Sequence, residues 1–143
     1  MHVPLVIAGP GIPKGWSEAL VYLMDLFPTF CDLSGAKIPE GVDASSLAPV
    51  IQGRAQKVCD ALYTAYRDGQ RSIRDDRWKL IRYPLVDRTQ LFDFSVDSRE
   101  LKNLADEPSP APRIAPMTAL LQQKMHRRAD KIPLTVANPK PTA

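Results

Sequence analysis

Between residues 61 and 94 the chain carries a series of short strand-like segments separated by turn signals, and this pattern most limits the folds open to it. The segments span residues 62–66, 71–74, 78–83 and 89–94, and the third alternates apolar and polar side chains. Turn signals fall between them, at Asp68-Gly69, Asp75-Asp76 and Pro84. Four consecutive strands joined by short turns predict an antiparallel sheet.

A helical segment is predicted after the sheet. Residues 114–131 carry apolar side chains at helical spacing, namely Met117, Leu120, Leu121 and Met125. We expect this apolar face to cover the sheet. Residues 98–105 are predicted to form one or two helical turns, and residues 132–143, with three prolines, to form an extended or disordered tail.

The first 60 residues have a different texture. Residues 3–8 are an apolar run that predicts a buried strand, and a Gly- and Pro-rich loop follows it. Asp25 is expected to cap a helix through its side chain, and Gly35 to end that helix. A second short helix is predicted before Gly53.

A buried strand so close to the N-terminus requires neighbours on both sides. We therefore expect the chain to be a fragment of a larger protein. We also expect it to self-associate through this exposed N-terminal strand.

Composition and charge exclude several classes of protein. The chain has 143 residues, 44% of them hydrophobic, which is ordinary for a globular domain. Its net charge of +3, from 19 basic and 16 acidic residues that are interleaved, argues against a nucleic-acid partner. No apolar run is long enough to predict a membrane span. Cys31 and Cys59 have neither metal-site nor disulfide-framework spacing.

Five motifs, in order along residues 2–128, resemble the sulfatase family. The first three are the opening Val3–Gly15 segment, Asp25-Leu26-Phe27-Pro28-Thr29, and the turn from Val42-Asp43 to Ser46-Leu47. The others are Arg77-Trp78-Lys79-Leu80-Ile81 and the run Gln90-Leu91-Phe92-Asp93-Phe94 continued by Asp97, Glu100 and Asn103-Leu104. Gln90 and Ser98 stand where the family has an acidic residue and a proline.

The resemblance implies an α+β fold in three parts. Residues 1–60 would be the C-terminal remnant of the α/β sulfatase core. Residues 61–131 would be a small four-stranded antiparallel sheet covered by a C-terminal helix, and residues 132–143 a tail. The implied function is that of the C-terminal segment of a sulfate-ester hydrolase.

The resemblance also implies which parts are missing. Sulfatases oxidise the first residue of a Cys-x-Pro-x-Arg or Ser-x-Pro-x-Arg motif to formylglycine, and neither Cys31 nor Cys59 stands in that context. The ligands of the family's divalent cation, usually calcium, would lie upstream of this segment. The family's sulfate-binding lysine and histidines would also lie upstream. We therefore expect no catalytic residue and no metal ligand here, and no activity from the chain alone. Asp75-Asp76 looks superficially like a metal pair, but we expect it to be a solvated turn.

One group of residues is a candidate for substrate contact. In sulfatases the C-terminal subdomain can lean over the cleft, and arginine forks suit anionic sugars and sulfates. His2, Arg67, Arg71 and Arg74 are therefore predicted to form part of a substrate rim. Two other interpretations stay open at this point: a non-catalytic interaction module from a truncated gene, and a segment of a related phosphodiesterase or phosphonate hydrolase.

Overall fold

The computed structural model describes residues 3–107 and 112–141. The chain divides into two compact units, the first ending at Asp60 and the second beginning at Ala61. Within the described residues, no helix has both the length and the apolar character needed to cross a membrane.

The second unit is built on a four-stranded sheet. Its strands are β1 (Leu62–Tyr66), β2 (Gln70–Arg74), β3 (Trp78–Tyr83) and β4 (Arg88–Asp93). Neighbours in sequence pair antiparallel, in the spatial order β1-β2-β3-β4. The predicted α+β class and the predicted antiparallel sheet are confirmed.

Short polar turns set the register of the sheet. The β1–β2 hairpin pairs Tyr66 with Gln70 and turns through Asp68-Gly69, as the sequence predicts. At the next turn the Asp75 carboxylate accepts hydrogen bonds from the backbone N–H groups of Arg77 (2.9 Å) and Trp78 (2.6 Å). The carboxylate thus replaces part of the missing backbone pairing and organises the entry into β3.

One face of the sheet is covered by α3 (Ile114–Arg127). Successive side chains of a strand point to opposite faces of the sheet. Those on the face towards α3 pack against the apolar side of the helix in a single buried cluster. Its members are Ala61, Tyr63, Ile73, Leu80, Leu91, Met117, Leu121 and Met125. Ile73, Leu91 and Leu121 are completely buried, so the sheet and helix share one core.

α3 ends earlier than its periodicity predicts. The predicted end was residue 131, whereas the helix stops at Arg127 because Ala129 adopts a left-handed conformation (φ 51°). The backbone N–H of Asp130 then donates to the carbonyl of Met125 (3.0 Å). This turn redirects the chain back towards the sheet.

Residues 132–141 form neither helix nor strand. Two hydrogen bonds tie them to β3 and to the turn after it: Arg82 Nε donates to the Leu134 carbonyl (2.8 Å), and the Lys140 N–H donates to the Leu85 carbonyl (2.7 Å). The Leu134 side chain packs against the core cluster.

The helical turns predicted over residues 98–105 are wrong in position. The structure has a single 3-10 turn there, Leu104–Asp106. Glu100 has a positive φ (58°), which breaks a right-handed helix. The Asp97 carboxylate accepts from the N–H of Lys102 (2.9 Å) and holds the loop in a non-helical form.

The first unit contains two helices, α1 (Leu26–Ser34) and α2 (Ala48–Ile51). A 3-10 turn, Leu23–Asp25, precedes α1, and Gly35 closes it in the predicted left-handed conformation (φ 75°). The predicted strand over residues 3–8 is wrong. Among the described residues all four strands belong to the second unit, so this segment has no strand beside it to pair with and stays irregular.

Candidate functional site

The structure does not bring the guanidinium groups of the three predicted rim arginines together. Arg67 lies in the β1–β2 turn with a positive φ (45°), and its guanidinium lies 5.6 Å from the ring centroid of Tyr66. Both side chains are exposed. Arg67 is thus the predicted rim residue with the most accessible position. His2 lies outside the described residues.

Arg71 is buried and fully engaged. Its side chain is 5% exposed, and its Nε donates to Asp130 Oδ2 at 2.6 Å. Nη2 donates to the other Asp130 oxygen (3.3 Å), while Nη1 donates to the carbonyls of Gln70 (2.8 Å) and Arg67. In this conformation every guanidinium nitrogen of Arg71 donates at least one hydrogen bond within the chain, and its part in a substrate rim stays a prediction.

Arg74 stands at the far end of the hairpin from Arg67, since Leu62 pairs with Arg74 and Tyr66 with Gln70. Three positions apart on one strand, Arg74 and Arg71 point to opposite faces of the sheet. The Arg74 guanidinium stacks 4.1 Å from the Phe94 ring centroid. The three arginines therefore do not converge on one ligand position, and substrate contact by Arg67 or Arg74 stays a prediction.

Asp130 is the residue that the sequence analysis missed. It lies 59 positions from Arg71 and 67 from Tyr63, whose hydroxyl also donates to Asp130 Oδ2. Burial opposes ionisation, but the hydrogen bonds from Arg71 and Tyr63 outweigh it and lower the pKa of Asp130 to about 2. Burial and the hydrogen bond to Asp130 raise the pKa of Tyr63 to about 12. A phenol held neutral in this way is unsuited to act as a base or nucleophile at neutral pH.

A second acidic group belongs to the motif that opens with Gln90. The Asp93 carboxylate receives Arg77 Nε (3.0 Å) and Nη2 (2.6 Å), a two-point bond across the ends of β3 and β4. The hydrogen bond from Arg77 lowers the pKa of Asp93 far below its usual range, with a further contribution from Ser95. The Ser95 hydroxyl donates to Asp93 Oδ1 at 2.6 Å. Asp93 therefore links the end of β4 to the residue that precedes β3.

The remaining polar residues of that motif also hold the fold together. The backbone N–H groups of Lys102 and Leu101 lower the pKa of Asp97. Glu100 accepts from Lys79 Nζ (2.6 Å), which joins the loop to β3. Both motif side chains, Asp97 and Glu100, therefore make their contacts within the chain.

Asn103 protects the outer edge of the sheet. Its Oδ1 accepts from the backbone N–H of Leu91 (2.8 Å), and its Nδ2 donates to the carbonyl of Thr89 (3.2 Å). Both groups belong to edge strand β4. An asparagine side chain can satisfy one donor and one acceptor at once, so it occupies the position a further strand would take.

The acidic residue of the Asp25-Leu26-Phe27-Pro28-Thr29 motif is likewise internal. Asp25 does not cap α1 as predicted, because its carboxylate accepts instead from the N–H groups of Tyr22 (2.8 Å) and Ser45 (3.0 Å). Thr29 Oγ1 donates to the Asp25 carbonyl (2.6 Å) and accepts from the N–H of Leu47 (2.8 Å). The motif fastens the start of α1 to the segment before α2.

The residues present do not fit the metal and the modified nucleophile that sulfatases use. Across residues 3–107 and 112–141, no three His, Cys, Asp or Glu side chains stand close enough to hold a metal ion. Asp75 is committed to the turn before β3, as described above. Cys59 donates its Sγ–H to the Leu20 carbonyl (3.2 Å), and Cys31 is a partly buried thiol on α1.

Comparison with known proteins accounts for this arrangement. The family model for the C-terminal part of N-sulphoglucosamine sulphohydrolase matches residues 1–131. The Delta 4,5-hexuronate-2-O-sulfatase of Bacteroides thetaiotaomicron is 33% identical over 142 residues, covering 90% of this chain and 29% of that protein. The choline-sulfatase of Rhizobium meliloti is 37% identical over 117 residues, covering 75% of this chain and 22% of that protein.

A solved structure of a 2-O GAG sulfatase is similar in fold, with a TM-score of 0.64 and 32% identity. The similarity covers 74% of this chain and 25% of that structure. The chain thus spans less than a third of the length of these relatives. Within each of the two units, the polar residues of the five motifs bind other groups of the same unit. The chain belongs to the sulfatase family, as a C-terminal portion of the sulfatase domain.

Proposed function

We propose that this chain completes the fold of a sulfate-ester hydrolase and has no hydrolytic activity alone. The proposal rests on one observation: the polar residues of the family motifs bind other groups of this chain. Asp25, Asp93, Asp97, Glu100 and Asn103 all bind backbone or side-chain groups of this chain. A segment whose polar motifs serve the fold contributes a scaffold to the enzyme rather than reacting groups.

In the complete enzyme, formylglycine and a divalent cation, calcium in most of the family, would be supplied by the part of the domain outside this chain. Together they would supply the nucleophile for sulfur and a positive charge against the sulfate oxygens. No residue of this chain is assigned to either group.

A sulfate ester is the proposed substrate class of the complete enzyme. Arg67 is the residue of this chain best placed to approach its organic part, because it is exposed beside the exposed ring of Tyr66. A guanidinium next to an aromatic ring suits a sugar that carries anionic groups. Arg71 is left out of this proposal because Asp130 holds it in the interior.

The two alternative interpretations receive less support. The relatives described above are sulfatases at 33% and 37% identity, which favours sulfate esters over phosphonates or phosphodiesters. A free-standing interaction module would need a self-sufficient apolar core in both units, whereas the first unit exposes many of its large apolar side chains.

A chimera tests the proposed function. This chain would replace the matched segment of the Bacteroides thetaiotaomicron hexuronate-2-O-sulfatase, in which 142 residues align. We expect a soluble chimera that hydrolyses the sulfate ester of the parent enzyme, while the same enzyme without the segment is inactive. A chimera that is folded by circular dichroism but has no sulfatase activity would overturn the proposal.

A further inference from the structure

The helical stretch of the first unit has its polar and apolar faces reversed. Leu23, Phe27 and Phe30 are 73%, 51% and 60% exposed. In contrast, Asp25 and Thr29 are 3% and 0% exposed. In a surface helix of a complete domain the apolar stripe faces the core and the polar residues face solvent.

Helical spacing collects the exposed side chains on one surface. Leu23, Phe27 and Phe30 follow one another at intervals of four and three residues, which places them on one face of a helix. Met24 and Leu33 extend that surface on either side and are 51% and 42% exposed. Leu23 and Met24 lie in the 3-10 turn that leads into α1, and the other three lie in α1 itself. We call these five residues together (Leu23, Met24, Phe27, Phe30 and Leu33) the apolar face of α1.

The opposite side of the helix is already occupied. Asp25 binds the N–H groups of Tyr22 and Ser45, and Thr29 binds Leu47. Asp32, the charged residue within α1, lies about half a turn away from Leu23 and so outside the apolar face. Ser34, whose exposed hydroxyl donates to the Phe30 carbonyl (2.8 Å), ends the exposed side of α1, and the other exposed residues on that side are apolar. A helix with one side fixed by hydrogen bonds and a largely apolar side exposed favours a covering partner.

The exposed apolar side chains are concentrated in the first unit. Of the described large apolar residues that are exposed, nine lie before residue 61 and four after it, although the first unit is the shorter one. The relatives show how much polypeptide is available to supply a cover for them, because the matched segment is 29% of one relative and 22% of another.

A second copy of this chain is a poor occupant of the surface. A large aromatic side chain buries roughly 150–250 Å² when it is fully covered, and the five residues of this face are 42–73% exposed. Together they therefore fall short of the roughly 800 Å² per partner that a stable interface buries. A larger polypeptide can cover α1 together with the exposed side chains of Val3, Leu5 and Val6 that precede it.

We propose that the apolar face of α1 is the surface on which the amino-terminal portion of the sulfatase domain docks. The inference rests on the proposed function and assigns the docking to specific residues of this chain. The occupant is a polypeptide with a matching apolar surface, which covers Phe27 and Phe30 at the centre of the contact.

A two-chain binding experiment tests the docking surface. The amino-terminal portion of the Bacteroides thetaiotaomicron hexuronate-2-O-sulfatase, ending where the matched segment begins, would be co-expressed with the full 143-residue chain. Binding would be measured by co-purification and by titration calorimetry. We expect a one-to-one complex with the unaltered chain.

The variants locate the contact. Phe27→Glu combined with Phe30→Glu should weaken binding by at least about a hundredfold, because two central aromatic anchors are lost. The matched control combines Val96→Glu and Leu101→Glu, which replace residues 82% and 80% exposed in the second unit, and should bind like the unaltered chain. Circular dichroism checks that both double variants remain folded.

Three outcomes would overturn the inference. Unchanged binding by the Phe27/Phe30 variant would place the contact elsewhere. Loss of self-association by that variant would identify a second copy as the occupant. Absence of binding by every form, with both portions folded, would show that the amino-terminal portion is not the occupant of this face. The activity of the covalent chimera reports on the proposed function independently of all three.

Discussion

At the scale of single residues, a buried ion pair joins Arg71 and Asp130, two residues that are remote in sequence. The Asp130 carboxylate accepts hydrogen bonds from the Arg71 guanidinium, from the Tyr63 hydroxyl and from the N–H of Ile132 (3.0 Å). On sequence alone, Arg71 is predicted to belong to a substrate rim. Its partner could not be found from the sequence, because the contact depends on where α3 ends and on the left-handed turn at Ala129.

The first prediction concerns this buried ion pair. Arg71→Ala would leave the Asp130 carboxylate buried without its cation, and we expect the free energy of unfolding to fall by about 3 kcal/mol at neutral pH. The control Arg99→Ala alters an exposed arginine and should change it by less than about 0.5 kcal/mol. Urea denaturation followed by circular dichroism measures both.

Acid should reduce the difference between the variant and the unaltered chain. The pKa of Asp130 is lowered to about 2 from an ordinary 3.8, so its ionised form stabilises the folded state above about pH 4. That contribution disappears as the pH falls from about 4 to about 2. The effect of Arg71→Ala should therefore shrink over this range, and an effect that is the same at pH 2 and pH 6 would contradict the assignment.

At the scale of elements, the alternation of apolar and polar residues and the turn residues correctly predicted the strands and the first hairpin turn of the sheet. β3 has the predicted bounds, and Asp68-Gly69 turns the first hairpin as predicted. The segment 3–8 has the composition of a strand and forms none, because a strand also needs a partner beside it. Local pattern therefore predicted the self-contained sheet well, and it failed where an element depends on neighbours outside the segment.

The second prediction concerns the edge of that sheet. Asn103→Ala would remove the partners of the Leu91 N–H and the Thr89 carbonyl, and we expect a loss of about 1–2 kcal/mol in the free energy of unfolding. Amide hydrogen exchange at Leu91 should accelerate. Asn103→Asp keeps the acceptor for Leu91 and should lose less.

Leu101→Ala is the control for the edge, since Leu101 is 80% exposed in the same loop. It should leave both the stability and the exchange rate at Leu91 nearly unchanged. If Asn103→Ala behaved like this control, the asparagine would have no role in protecting β4.

At the scale of the whole molecule, the order of five motifs along the chain indicated the family, and the family model over residues 1–131 shows it. What the motifs do became clear from their contacts. Their acidic and amide side chains bind backbone N–H groups, arginines and lysines of the same chain. Alternation along the predicted strand 71–74 already places Arg71 and Arg74 on opposite faces, whereas the burial of Arg71 against Asp130 could not be predicted from sequence.

The central claim is that this chain carries sulfatase scaffold without sulfatase chemistry. Its most direct test is an assay of the purified 143-residue chain on a chromogenic aryl sulfate with calcium. We predict turnover no higher than the background rate of the substrate in buffer, both with calcium and with a chelator. Robust turnover that requires the metal, and that the chelator abolishes, would contradict the account.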